Sequence, residues 1–453
     1  MSNGNPLSPG SFLTRHGKCV TGNSDLKRQL TVRAVENAMG IRPPAFKVFR
    51  EGKSGSLYIP RFFGDYASVD KRQEPVSVSI EFHGTLRDST RQNEAFRAGV
   101  EAFRKVGGGV LSLPPGFGKT TMALAYAAHL KVRTMVIVHK EFLANQWKER
   151  IQQFCPGATI GRVQQDTFDI EHDFVIAMIQ TMCSRENDPK AFDSIGFVIV
   201  DEAHHIGAAA FSQTMFKLCP RYSLGLTATP ERKDGLTNIL YWFMGPEFFR
   251  VQRENQATTQ VDTVFFDDPV FREAPPVSRF GKINMAGMVT QLTEIPARNQ
   301  KILSLVRGLD PSRRVLLLSD RREHCFWLCE NLEGAALYLG GMKEDELETS
   351  SRAKIIVATY SMAQEGLDIP VLDTLVMTTP HSDVTQAVGR IMRETPGKVN
   401  APLIIDIVDR WSVFNSMYRK RCVIYKTAGF RTTDTPYMMD SSAQEFPKGK
   451  CLL

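Results

Sequence analysis

The chain has 453 residues, enough for two or three domains with separate cores, and its 42% hydrophobic and 23% charged residues are typical of a globular protein. Its formal net charge of +7 suits an anionic partner without identifying one. No apolar run approaches the roughly 18 residues that cross a bilayer, the start MSNGNPLSPGSF lacks the parts of a secretory signal, and the eight cysteines form no C-x-x-C pair. The expectation is a soluble intracellular protein with reduced thiols and no membrane partner.

Residues 1 to about 25 are rich in Ser, Gly, Asn and Pro and are expected to be disordered. AFKVFRE and SLYIPRFF then read as short strands, whose Phe46, Phe49, Tyr58, Phe62 and Phe63 are interleaved with Lys47, Arg50 and Arg61. Bases could stack there, but a small accessory core with solvated basic edges is the favoured reading. From about residue 85, GGVLSL, TMVIV, DFVIAM, FVIVDE and YSLGLTA recur between helical stretches. Near-continuous apolar runs of this kind are strands buried on both faces of a parallel sheet. A second series, RVLLLS, AALYL, AKIIVAT, TLVMT and PLIIDIV, begins near residue 313. HCFWLC places Cys325 and Cys329 one helical turn apart beside His324, which reads as helix packing.

The expected organisation is an N-terminal extension (1–80), a first α/β domain (81–252), a polar connector (253–300), a second α/β domain (301–430) and a flexible tail (431–453).

LSLPPGFGKTT, residues 111–121, lies between a strand and a helix, as a phosphate loop must. Gly116 and Gly118 let backbone N–H groups approach phosphates, and the helix start adds positive potential. Lys119 neutralises the terminal phosphates, and the Thr120 hydroxyl, with Thr121 beside it, suits Mg²⁺. Leu113 occupies the place of the first glycine of G-x-x-x-x-G-K-[ST]. The second half of the site decides its meaning. FVIVDEAHH is an apolar strand ending in Asp201 and Glu202, the first suited to hold Mg²⁺ and the second to deprotonate a water. Together they read as a site for ATP and Mg²⁺.

LPPGFGKT, VIVDEAHH, GLTATP, ATYSMAQEGLDIP and QAVGRIMR follow one another over about 280 residues. In that order they resemble motifs I, II, III, V and VI of the superfamily 2 helicases. IVHKEFLANQWKERI resembles motif Ia and LLLSDRREH motif IV. The Gln146-Trp147 pair, ERKDG after motif III, and IIDIVDRWSVFNSMYRKRCVIYKTAGF are most similar to the XPB/UvsW branch. That branch includes the poxvirus transcript-release helicases and their relatives in large DNA viruses.

The resemblance implies two RecA-like α/β domains with a small N-terminal extension, ATP between the domains, and nucleic acid across their top. It implies that Thr227 and Thr229 couple hydrolysis to movement, and that Gly366, Asp368, Gln386, Arg390 and Arg393 serve the nucleotide from the second domain. Arginines there would neutralise charge spreading over the γ-phosphoryl oxygens. Arg87 and Gln92 are the adenine-reading candidates, although LRDSTRQNEA holds two more residues before the glutamine than the family pattern. Arg232-Lys233-Asp234 stands where XPB proteins carry Arg-Glu-Asp. Lys140, Gln180, Thr181 and Thr359 are the nucleic-acid candidates. In the terminal helix, Trp411, Phe414 and Tyr418 are expected in the core, with Arg419, Lys420 and Arg421 as a solvated edge.

The implied activity is an ATP-dependent DNA helicase or translocase on single-stranded or forked DNA, running 3′ to 5′. It would serve transcription, repair or replication of a large DNA virus, with proteins of those processes as partners, in host cytoplasm, nucleus or virion. The rivals are an RNA helicase, a duplex translocase that displaces proteins without unwinding, and a non-catalytic scaffold.

Overall fold

The computed structural model describes residues 11–433 apart from 36–42, 66–67, 89–90, 115–116, 187, 189, 204–207, 229–233, 252–258, 278–280, 282, 366, 368 and 393–397. The chain divides into two compact units, Met1–Gln252 and Arg253–Leu453.

All five apolar runs of the first series are strands of one eight-stranded sheet in the first unit. Its order is Thr167–Phe168, Ile160–Gln164, Phe174–Met178, Thr134–Val138, Phe197–Val200, Tyr222–Thr227, Gly108–Ser112 and Glu247–Arg250. Every neighbouring pair is parallel except the first. Side chains of a strand alternate between faces, and two cores result. Val110, Met135, Ile137, Val198 and Val200 join one, while Leu111, Val136, Val138, Ile199 and Leu226 join the other. Helices such as Lys119–Leu130 and Thr237–Met244 cover them. The outer strands Ile160–Gln164 and Glu247–Arg250 lack a continuous apolar run, and the sequence reading passes over them.

The N-terminal segment corrects two expectations. Residues 11–25 are ordered: strands Phe12–Thr14 and Gly17–Thr21 sit in a five-stranded sheet with Arg50–Glu51, Ser56–Ile59 and Val69–Asp70, and Ser24 and Asp25 open the helix Ser24–Gln29. Nor does this sheet form a separate core. Val20, Leu26, Leu30, Val48, Phe49, Leu57 and Ile59 pack in one cluster with Phe211, Met215, Phe216 and Phe243 of the ATP-binding domain. A piece this small buries too little surface to stand alone.

Arginines fasten the same junction. Arg50 donates to the carbonyls of Gln213 and Phe216 at 3.1 and 3.2 Å. Arg61 donates to those of Pro220 and Arg221 at 3.0 and 2.8 Å, and Arg72 also donates to Cys219 and Pro220. Arg50 and Arg61 are therefore engaged inside the protein, and the aromatic–basic interleaving serves packing.

In the second unit seven parallel strands run in the order Ala335–Tyr338, Ile355–Thr359, Val315–Ser319, Thr374–Met377, Leu403–Asp409, Gln260–Phe266 and Arg431–Thr433. The second apolar series forms five of them. Gln260–Phe266 falls in the expected connector, yet it pairs along its whole length with Leu403–Asp409. Helices Met285–Glu294 and Pro296–Arg307 also fill this stretch, so it is part of the second fold. Arg431–Thr433, expected in the tail, closes the sheet edge; the tail beyond it lies outside the described residues.

Leu403–Asp409 is buried throughout although it carries two aspartates. Arg298, from the helix on one face, grips Asp409 with two bonds of 2.7 and 2.9 Å. Arg421, from Val413–Thr427 on the other face, grips Asp406 at 2.8 and 2.9 Å, and the Tyr425 hydroxyl donates to Asp406 at 2.8 Å. Arg421 is only 2% exposed, which overturns its reading as part of a solvated edge, whereas Arg419 and Lys420 are exposed. Trp411 and Phe414 are buried as expected, and Tyr418 is half-buried.

Candidate active site

Because the central strands are parallel, their carboxyl ends form one rim, the usual place for ligands in open α/β sheets. Five candidate segments of the first unit lie on it. Leu113 shows why the missing glycine costs nothing there. Its N–H donates to the Thr227 carbonyl at 2.9 Å, extending the strand by one residue, and its side chain is fully buried in the core. The turn falls on Gly118, whose φ of +98° favours glycine, and where a Cβ would stand 2.9 Å from Gln92 Nε2. Lys119, Thr120 and Thr121 then open the helix, whose first turn holds no acidic residue. Their N–H groups are the ones a helix leaves without an internal acceptor.

Lys119 and Asp201–Glu202 lie more than 80 positions apart and meet in the fold. Lys119 Nζ stands 2.7 Å from Glu202 Oε1. Glu202 occupies the left-handed region at φ 46°, an uncommon conformation for a residue with a side chain, found disproportionately at functional sites. Asp201 is 7% exposed: its Oδ2 accepts from the Trp147 indole at 2.8 Å and its Oδ1 from the Glu202 N–H at 2.9 Å. Burial, then the neighbouring Glu202 charge, pushes the Asp201 carboxyl up to about 6, against the opposing pull of Lys119 and the indole. Trp147, which motif reading left without a role, is the residue that holds Asp201 Oδ2. Its signal was an indole on a helix that starts at the same rim.

Gln92 is 2% exposed and spans two backbones. Its Oε1 accepts from the Arg87 N–H at 2.9 Å, and its Nε2 donates to the Phe117 carbonyl at 2.6 Å, so it ties the preceding loop to the phosphate loop. The Arg87 side chain is exposed. Thr227 is buried at the end of its strand, opposite Ser112.

Lys140 and Gln180 share the other half of the rim, after the paired strands Thr134–Val138 and Phe174–Met178. Gln180 is exposed and donates to the His139 carbonyl at 2.8 Å, and Lys140 stands at the position just before Glu141–Phe154. Thr181 is buried, its hydroxyl accepting from the Gln165 N–H at 3.0 Å, a bond that holds a turn. In the second unit Thr359 ends its strand, its hydroxyl 3.0 Å from that of Ser361. Gln386 and Arg390 lie on Thr385–Ile391, where Arg390 Nε donates to the Ala363 carbonyl at 2.7 Å. Gly116, Thr229, Gly366, Asp368 and Arg393 lie outside the described residues, as do Arg232 and Lys233. Cys325 is buried in the core of the second unit and Cys329 packs against the same cluster.

Residues 85–232 match the family model for the type III restriction enzyme, res subunit. Over a longer stretch, the chain is 30% identical over 442 residues to the putative ATP-dependent RNA helicase L396 of Acanthamoeba polyphaga mimivirus, covering 90% of this chain and 83% of that protein. This chain belongs to the superfamily 2 helicases of large DNA viruses. The helicase is also 27% identical over 424 residues to putative helicase 161L of Invertebrate iridescent virus 6, covering 84% of this chain and 93% of that one. The solved structure of T4 UvsW aligns with 93% of the helicase and 98% of its own chain at 13% identity and a TM-score of 0.38; the strand orders above, not this superposition, carry the fold. The helicase is thus an ATP-hydrolysing enzyme that acts on nucleic acid. No helix among its described residues is long and apolar enough to cross a membrane.

Proposed function

We propose that the helicase translocates along DNA, 3′ to 5′, and separates strands at single-stranded or forked sites during transcription, repair or replication of a large DNA virus. The observation that carries the catalytic part is the contact of Lys119 with Glu202 beside buried Asp201. Lys119 is the group that neutralises the terminal phosphates. A phosphate competing for its ammonium frees the Glu202 carboxylate, which accepts a proton from the attacking water. Nucleotide arrival and base activation are then one exchange of partners.

The oxygens of Asp201 and Thr120 suit Mg²⁺, which takes one or two protein oxygens together with substrate phosphates. The fit rests on Asp201 itself, a buried carboxylate directly followed by a second one, Glu202. When bound, the ion would neutralise phosphate charge. Trp147 keeps the Asp201 carboxylate aimed by fixing one oxygen.

Gln386, Arg390 and Arg393 are proposed to complete the site from the second unit, with Gly366 and Asp368 near the nucleotide and Thr227 and Thr229 coupling hydrolysis to movement. Lys140, Gln180 and Thr359 are proposed to touch phosphate and sugar, positioning the strand without reading its sequence; Thr181 would act by holding the turn beside them. Proteins of viral transcription or replication, in host cytoplasm, nucleus or virion, are the proposed partners and setting. The test is strand displacement on duplexes with a single 3′ or 5′ tail. Displacement on 3′-tailed DNA alone is expected, and preference for a 5′ tail would reverse the polarity. ATP-dependent removal of a bound protein with no strand separation would instead favour a duplex translocase.

A further inference from the structure

A small recess lies where the N-terminal sheet meets the ATP-binding domain, and Arg15, Lys71, Arg72, Lys217, Arg221 and Asp193 are among the residues lining it. Asp193 precedes the strand Phe197–Val200, and Lys217–Arg221 precede Tyr222–Thr227. Those two strands carry Asp201 and Thr227 at their opposite ends. The recess therefore sits on the amino-terminal edge of the sheet, roughly 13–20 Å from the nucleotide rim at ~3.3 Å per residue, and is no part of the ATP site.

Its charge is one-sided. Arg15 pairs with Asp193 at 2.7 Å, Arg72 with Asp70 at 2.6 Å and Arg221 with Glu74 at 2.7 Å. Lys217 donates to the carbonyls of Met182, Cys183 and Arg185, and the Lys71 ammonium lies 3.3 Å from the centre of the Phe12 ring. Counting all three carboxylates still leaves two positive charges in excess. Arg221 is also incompletely satisfied: its Nε is buried and makes no hydrogen bond, and its ionic partner Glu74 is 78% exposed. Such a surface pair is worth little, so an incoming anion displaces it readily.

We infer that this recess is a second phosphate-binding site, and that it takes a backbone phosphate of the nucleic acid outside the path along the nucleotide rim. Lys71 is exposed on the rim of the recess and Arg221 is partly so, within reach of a passing chain. The contact rests on the motor reading for the identity of the anion, and it explains why a sheet with no core of its own is fastened by arginines to this edge. Motor and anchor would then hold one nucleic acid on two edges of the same unit.

The test is the double variant Lys71→Glu/Arg221→Glu, with Lys71→Ala/Arg221→Gln as a neutral counterpart, in the full chain. Hydrolysis of ATP without nucleic acid should match the wild type in both, which also checks folding. Affinity for a 30-nucleotide strand or a 30-base-pair duplex should fall about 5–20-fold at low salt, less for the neutral pair, and the log–log salt slope should drop by about one to two units. Unchanged affinity and slope overturn the proposal. It is equally overturned if the variants lose only the thermal stabilisation given by inorganic phosphate, which marks a free-anion site. Failure of the wild type to bind any oligonucleotide overturns the motor reading and this contact together.

Discussion

At the scale of single residues, Asp201 trades stability for function. Its folded pKa, about 6, lies above the ordinary 3.8. Its contribution to stability is therefore fully present below pH 3.8 and lost as pH rises through about 6. Asp201→Asn removes the buried charge and can keep the bond from Trp147. It should stabilise the protein at pH 8 by on the order of 2 kcal/mol, and far less at pH 4.5, while abolishing hydrolysis. Urea unfolding at the two pH values decides this, and a loss of stability at pH 8 would show the carboxylate to be better compensated than its surroundings indicate. Glu202→Gln should leave ATP binding intact and lower turnover about 10²–10⁴-fold; single-turnover kinetics near the wild-type rate would assign the base elsewhere. Gln92→Ala should weaken ATP and GTP binding alike, because its amide bonds Arg87 and Phe117. A change confined to adenine discrimination would assign it to base reading instead. Residue types and spacing made Lys119, Asp201 and Glu202 legible in the sequence. The partners of Gln92 and Trp147 were not, because they are backbone and side-chain groups brought near only by tertiary folding.

At the scale of elements, hydrophobic periodicity found every strand buried on both faces and missed several of the half-exposed ones. Ile160–Gln164 and Glu247–Arg250 lie near the sheet margins, where half-exposed positions dilute the apolar run. Gln260–Phe266 was masked by the polar stretch around it. The two aspartates inside Leu403–Asp409 were the overlooked clue. Charges in an apolar strand require partners from the covering layers, and Arg298 and Arg421 supply them from opposite faces. Arg421→Met would leave Asp406 buried with only the Tyr425 hydroxyl, and should destabilise the second unit by about 3–5 kcal/mol. Thermal unfolding of the full chain measures this. Near-neutral stability would mean that water reaches the aspartate.

At the scale of the whole molecule, the two α/β units were legible from two series of apolar runs, and their division at Gln252/Arg253 follows from the fold. The N-terminal sheet was not, because its seven core residues make sense only beside Phe211, Phe216 and Phe243. The motor reading requires both units: the acid pair is in the first, and Arg390 is in the second with Arg393. An arginine acting on the γ-phosphate is worth about 10³–10⁵ in rate. The central claim is an ATPase driven by DNA. Steady-state ATP hydrolysis by the full chain with no nucleic acid, single-stranded DNA, duplex DNA and RNA tests it most directly. The account predicts slow basal hydrolysis, stimulation of at least tenfold by single-stranded DNA, and much weaker stimulation by RNA. Equal stimulation by RNA, or hydrolysis indifferent to every nucleic acid, would contradict it.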